Sequence, residues 1–336
     1  MNPFIADLPK AELHVHLEGT LEAGLSFRLA RKNGIPLEFA TEQELLAAYD
    51  FHDLPSFLRI YYEAMKVLTD EEDFFQLTWA YLSKAAQQRI VYAEMFFDPQ
   101  AHTSRGVEFA TVIRGIRRAQ EQAARQLGIQ TQLILCFLRD LSAESALQTL
   151  EQSLPFRQWI VGVGLDSDEK GNPPVKFAEV FRRARGYGYR LTMHCDVNQE
   201  NTLVHIGQCL HTIGVDRIDH GVNCLEDPAL CATIVERGLG LTICPISNRF
   251  VVQSLTAAQI RRMLALGMRA TINSDDPAYF RAYLNENLDA LHEEGGVTRA
   301  EIVQLVENAF AVAWLDEEQR GAFLASVRAY VQSYPS

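Results

Sequence analysis

The stretch Ala11-Glu12-Leu13-His14-Val15-His16-Leu17-Glu18-Gly19 places two histidines two residues apart, followed by an acid and a glycine. On a strand, side chains at i and i+2 project from the same face. Two imidazoles on one face at a strand end can bind one metal ion. Three further stretches carry similar chemistry: Thr192-Met193-His194-Cys195-Asp196, Ile218-Asp219-His220-Gly221 and Asn273-Ser274-Asp275-Asp276-Pro277. Each has an ordinary explanation when taken alone. A His-x-His pair can be two rim histidines bonded to their neighbours. Asp219-His220 reads as a surface turn, and Asp275-Asp276-Pro277 as a helix start with an acidic cap and an early proline. Together they offer several imidazoles and a carboxylate pair, a donor mixture that suits Zn2+ or Fe2+. A site of this kind that keeps one position for water is catalytic rather than structural.

Such a site needs a scaffold that brings four distant stretches to one rim. Eight short apolar runs are strand candidates: Glu12–His16, Ile90–Phe97, Gln132–Leu138, Ile160–Asp166, Arg190–Cys195, Arg217–His220, Gly240–Ile246 and Met268–Ser274. Amphipathic helical stretches such as Val107–Leu127 and Lys176–Gly186 separate them. Near-continuous apolar strands alternating with helices imply parallel strands covered by helices. Eight such units predict an α/β fold of the (β/α)8 TIM-barrel type, with further helices after the last strand. No Gly-x-Gly-x-x-Gly follows the first strand, which argues against a dinucleotide-binding sheet. Residues 21–86 hold several helical stretches and read as an insertion over the barrel mouth. Its aromatics Phe51, Phe57, Tyr61 and Tyr62 could close over a flat ligand, but packing between insertion helices is the expected role for most. No linker or repeat divides the chain, so residues 1–336 read as one barrel domain.

Chemistry in such barrels sits at the C-terminal strand ends. The four stretches fall at the ends of strands one, five, six and eight, which is their joint argument.

Composition narrows the partners. The 336 residues are 48% hydrophobic and 22% charged, with a formal net charge of −12. A chain this acidic is poorly suited to phosphate contacts, so nucleic acid is not expected. No apolar run spans a membrane and no secretory leader is evident, so a cytoplasmic protein is expected. Cys136, Cys195, Cys209, Cys224, Cys231 and Cys244 form no Cys-x-x-Cys pair and read as buried free thiols. The expected partner is a small, uncharged or cationic molecule, and a homo-oligomer is left open.

The set His14-x-His16, a later strand-end His194, Ile218-Asp219-His220-Gly221 and Ser274-Asp275-Asp276-Pro277 resembles the adenosine/adenine deaminase branch of the amidohydrolase superfamily. The resemblance runs from Leu8 to about Leu291. It implies that His14, His16, His194 and Asp275 are metal ligands and that His220 orients or deprotonates a metal-bound water. It further implies that Asp276 hydrogen-bonds purine N7 and that Gly164 offers its N–H near N3. Many superfamily members bridge two metals with a modified lysine after strand four. Here that strand ends Leu165-Asp166-Ser167-Asp168, so one metal ion, Zn2+ or Fe2+, is expected.

Two features refine the implied substrate. In the nucleoside enzymes of the family the first motif ends Leu-Asp-Gly, whereas this chain has Leu17-Glu18-Gly19. The longer Glu18 carboxylate would occupy sugar space, and it resembles the form found in enzymes acting on free adenine, as do Phe96-Phe97-Asp98-Pro99-Gln100 and Ala278-Tyr279-Phe280. The second feature is a departure. The family continues His-Ala-Gly-Glu, and that Glu protonates ring N1. This chain has His194-Cys195-Asp196-Val197-Asn198-Gln199-Glu200-Asn201, with Val197 at the donor position and about two residues more before the next motif. Glu200 is the first candidate for the acid and Asp196 the second; loss of the acid is the third alternative. The resemblance implies hydrolysis of adenine or an N6-substituted adenine to hypoxanthine and ammonia or an amine. Adenosine, another amino-heterocycle, and a barrel that binds purine without turnover are the alternatives.

Overall fold

The computed structural model describes residues 1–49, 51 and 54–334. Its strands are β1 (Lys10–His16), β2 (Ile90–Phe97), β3 (Gln130–Leu138), β4 (Ile160–Asp166), β5 (Arg190–Leu191), β6 (His194–Cys195), β7 (Arg217–His220), β8 (Gly240–Ile243) and β9 (Arg269–Ile272). They run in two sheets, β1-β2-β3-β4-β5 and β6-β7-β8-β9, and every neighbouring pair is parallel. β5 and β6 are the two ends of the fifth predicted strand. Between them the Thr192 N–H donates to the Val163 carbonyl at 3.0 Å, and the Met193 carbonyl accepts the Asp219 N–H at 2.9 Å. One strand therefore changes partner from β4 to β7 without leaving the wall.

The other seam lies between β9 and β1. His16 N–H donates to the Asp275 carbonyl at 3.0 Å, and Asp275 N–H donates to the His14 carbonyl at 3.1 Å. The Asn273 side chain accepts the Leu13 N–H at 2.8 Å. With both seams joined, the strands make a (β/α)8 barrel. The last two predicted strands end earlier than expected. Pro245 opens a helix, Pro245–Val252, and Asp275 turns the chain with φ of 67°.

Helices cover the barrel because each presents one apolar stripe. In the helix Phe109–Gln126, Val112, Ile113, Ile116, Ala119 and Ala123 are buried. Gly115 lets this helix close on its neighbour Glu71–Gln87: a Cβ there would lie 2.3 Å from the Glu71 carbonyl oxygen. At the N-terminal end of the barrel, the buried Arg217 guanidinium bonds Glu94 at 2.5 Å and sits 4.2 Å over the Trp314 ring. Trp314 precedes a final helix, Glu317–Ser333.

Between β1 and β2 lie the helices Ala23–Asn33, Glu42–Ala47, Leu54–Ala64 and Glu71–Gln87. Positions 50, 52 and 53 of the insertion expected at 21–86 lie outside the described residues. Tyr62 Oη donates to Ser167 Oγ at 2.9 Å, tying this region to the end of β4. All six cysteines are free and buried, and no described helix is long and apolar enough to cross a membrane.

Candidate active site

β1 delivers His14 and His16 from one face to the C-terminal end of the barrel. β6 begins with His194, β7 ends on His220, and Asp275 follows β9. Ligand atoms of His14, His16, His194 and Asp275 all lie within 4.8 Å of one another, and all four residues are buried. His14 Nε2 is 3.2 Å and His16 Nε2 3.4 Å from Asp275 Oδ1. His16 Nε2 and His194 Nε2 face each other at 3.1 Å. Asp275 and His220 both hold left-handed backbone, with φ of 67° and 57°. For residues other than glycine that conformation costs energy, and it recurs at functional sites.

Asp219, a turn residue on sequence grounds alone, sits behind the cluster. Thr242 Oγ1 donates to Asp219 Oδ1 at 3.0 Å, and Thr192 Oγ1 donates to Asp219 Oδ2 at 2.6 Å. The Thr242 proton being used, its oxygen accepts from His14 Nδ1 at 2.9 Å. That assigns the His14 tautomer: Nδ1 carries hydrogen and the Nε2 lone pair points into the cluster. Asp219 Oδ2 also stands 3.6 Å from His194 Nδ1. A carboxylate behind a ligating imidazole is the usual outer support of a metal site.

The charge state of the cluster suits a cation. Burial holds the His14 imidazole down to about 4, against the pull of Asp275. Burial, together with the neighbouring imidazoles, holds His194 well below the ordinary histidine range. Burial disfavours the Asp275 carboxylate, yet His14 and His16 hold it well below the ordinary range. For His16 burial is outweighed by Asp276, Asp275 and Asp166, which push it up to about 10. Two imidazole nitrogens at 3.1 Å whose lone pairs face each other need a proton or a metal between them. The donor set, neutral His14 and His194, an ionised Asp275 and a His16 that gives up its proton on binding, therefore fits a divalent metal. Among the described residues two other groups have similar spacing, His14 with His220, Cys244 and Asp275, and His16 with Asp98 and Asp166. Burial pushes the Cys244 thiol well above its usual range.

His220 Nε2 lies 3.3 Å from Asp196 Oδ1 and 3.8 Å from Asp275 Oδ2. Burial pushes the Asp196 carboxyl up to about 6, with His220 opposing. The cluster opens into a cavity of about 460 Å³ whose polar wall includes Asp98, Asp166, Asp196 and Asp276. One oxygen each of Asp98, Asp166 and Asp276 is buried without a partner. Burial and crowding by neighbouring carboxylates push Asp98 well above the usual range. Burial does the same to Asp276, against the pull of His16. Carboxyls kept neutral in this way can donate as well as accept hydrogen bonds.

The expected aromatics Phe51, Phe57, Tyr61 and Tyr62 all line the cavity. They also pack on one another, with ring centroids 5.2 Å apart for Phe51–Phe57 and Phe57–Tyr61. Packing and lining are thus the same role here.

Three expected site residues are not among those that line the cavity. Glu200 is exposed and absent from the cavity wall. The chain leaves Asp196 through left-handed Asn198 and Asn201, with φ of 54° and 63°, and so carries Glu200 outwards. Gly164 is not on the wall either; it lies a layer deeper, where a Cβ would come 2.6 Å from Cys136 Sγ. Asp166, Ser167 and Asp168 face the cavity from that strand end instead. Glu18 is buried but not on the wall: Oε1 accepts from the Asp98 N–H at 3.1 Å and pairs with His102 Nε2 at 2.9 Å. It supports the cavity through Asp98. Besides Asp219, sequence reasoning missed Asp98 and Asp166. Each is an acid that closes an apolar strand, the same signal that points to Asp275 and Asp276 after the last strand.

Fold and site together define a metal-dependent hydrolase of the (β/α)8 class. Comparison with known proteins makes this specific. The family described as adenosine deaminase matches residues 9–330, so the chain belongs to the adenosine deaminase family, whose members hydrolyse C–N bonds. An adenine deaminase of Hahella chejuensis is 46% identical over 336 residues, covering 99% of this chain and 100% of that one. The crystal structure of an adenine deaminase from Arthrobacter aurescens superimposes with a TM-score of 0.93 at 40% identity, covering 97% of this chain and 100% of that one. An amidohydrolase from Burkholderia ambifaria, solved with bound Zn, gives a TM-score of 0.90 at 27% identity, covering 98% and 93%.

Proposed function

We propose that this protein hydrolyses the C6–N6 bond of adenine or an N6-substituted adenine, as a single barrel domain that carries one zinc ion. The observation that carries the reading is the His14–His16–His194–Asp275 cluster beside His220 and Asp196 in an acid-lined cavity. The substrate class is supported by relatives that are adenine deaminases, and the ion by the zinc-bound relative.

Held by these four residues, zinc would supply a water whose pKa is lowered to about 7. His220 accepts a proton from the attacking water. Asp196 donates a proton to ring N1, so that C6 becomes electrophilic. Asp276 bonds the purine at N7 and fixes the ring. A C6–O bond forms, the C6–N6 bond breaks, the departing nitrogen takes the second proton of the water, and His220 returns the first to Asp196, 3.3 Å away. The products are hypoxanthine and ammonia, or an alkylamine. The aromatic outer cavity, lined also by Phe250, Val251 and Phe280, leaves room for an apolar N6 substituent, since about 460 Å³ exceeds what a single purine fills.

The test is loss of purine absorbance with adenine, N6-alkyl adenines and adenosine assayed side by side on the zinc-loaded protein. Turnover of the free bases with slow or no turnover of adenosine is expected. Faster turnover of adenosine than of any base overturns the reading.

A further inference from the structure

Behind the cavity wall, three buried groups that the reaction does not use meet beside the segment that departs from the family pattern. Arg139 follows β3 and Glu169 follows β4; both are fully buried. His205, in the helix Thr202–Gly207, is 5% exposed. Glu169 Oε1 pairs with His205 Nδ1 at 2.5 Å. Glu169 Oε2 accepts the Asp196 N–H at 3.0 Å. Arg139 Nη1 stands 3.3 Å from that same oxygen and donates to the His194 carbonyl at 3.0 Å. One carboxylate and one guanidinium thus grip the backbone on either side of Cys195.

The grip matters because the Glu169 carboxylate is the side chain that accepts the Asp196 N–H, while the Gly221 N–H and Thr202 Oγ1 hold only the neighbouring carbonyls of Cys195 and Asp196. β6 is two residues long, and the chain then turns through two left-handed asparagines. Asn198 and Asn223 anchor the turn further on, with the Asn198 N–H donating to Asn223 Oδ1 at 3.0 Å and Asn223 Nδ2 donating to Asn198 Oδ1 at 3.0 Å. Both Glu169 oxygens are committed only while His205 holds Oε1. Without that partner a buried carboxylate is left half-satisfied and free to rotate from the Asp196 N–H.

We propose that His205, acting through Glu169, is the positioning residue that holds Asp196 against His220 at the cavity wall. This rests on the reading of Asp196 as proton donor. It identifies the device by which the rebuilt loop sets its acid: a histidine from the helix after the loop locks a carboxylate from the loop after β4.

Three measurements on the zinc-loaded full chain test it. His205→Leu removes the bond while keeping bulk, and His205→Asn can present its amide N–H near the Nδ1 position. His205→Leu is expected to lower kcat by about 10²-fold, as a misplaced catalytic group does, with KM and zinc content unchanged. His205→Asn is expected to recover most of the loss. In an Asp196→Asn background, His205→Leu should cost nothing further, because the two act as one unit. A His205→Leu enzyme with wild-type kcat, or a loss that adds fully to that of Asp196→Asn, overturns the proposal. Amide exchange of the peptide covering 195–201 decides the clamp independently of substrate. Faster exchange in His205→Leu and wild-type exchange in His205→Asn support it; unchanged exchange in His205→Leu overturns it. A wild-type protein inactive on every purine assayed would overturn the functional reading instead, with the exchange result still deciding the clamp.

Discussion

Asp196 and Glu200 are four residues apart in one loop, and only Asp196 reaches the cavity. Its carboxylate stands 3.3 Å from His220, close enough for the two to share the proton traffic of a hydrolysis. Asp196→Asn is therefore expected to lower kcat by about 10²–10⁴, the usual worth of a general acid, with zinc content retained. Glu200→Gln should leave kcat unchanged; steady-state kinetics of the two variants side by side checks both. His16 makes a second prediction. The surrounding carboxylates hold its proton up to about 10, and a ligating imidazole must give that proton up. Metal binding should then release a proton near neutral pH and weaken as pH falls. Calorimetric titration in buffers of different ionisation enthalpy reads the proton count, and a count of zero contradicts the assignment of His16 as a ligand.

At the scale of the element, β7 supports the metal site through its inner face. Asp219 is paired in register with His194 and holds Thr192 and Thr242 with its two oxygens. Asp219→Asn keeps the shape but weakens the acceptor behind His194 and the Thr242 link to His14. Zinc affinity should drop by about 10- to 100-fold, as for other outer-shell changes, measured by competition with a chelator. A packing prediction belongs to the helix pair 71–87 and 109–126. Gly115→Ala drives a Cβ into the Glu71 carbonyl, so it should destabilise by about 1–3 kcal/mol despite alanine's better helix propensity. Chemical denaturation reads the difference. These elements were legible from pattern: the apolar runs of β1 to β4 and the stripe of 109–126 repeat with the strand and helix periods. The change of partner inside Arg190–Cys195 was not, because it depends on which neighbour lies within hydrogen-bond reach.

For the whole molecule, the four candidate ligands straddle both seams between the two sheets. His14 and His16 stand on β1, Asp275 follows β9, and His194 opens β6. A metal held by all four ties β1 to the ends of β9 and β6, where pairing is least regular. Ligand binding to the folded state alone stabilises by about 2.7 kcal/mol at a hundred times Kd, so chelation should lower Tm by several degrees. Scanning calorimetry with and without chelator checks this, and an unchanged Tm would argue against a site that bridges the seams.

Residue type and spacing pointed to the parallel barrel, to strand ends rich in metal-binding side chains and to the acid pair after β9, since hydrophobic period and strand-end chemistry are local properties. Tertiary structure decided what depends on distance between remote stretches. It turned Glu200 out through two left-handed residues and kept Asp196 in. It buried Glu18 behind Asp98, set Gly164 a layer below the rim, and placed Asp219 behind two histidines. A lone acid in a sequence carries no direction; only packing fixes whether its carboxylate meets water, a histidine or the cavity.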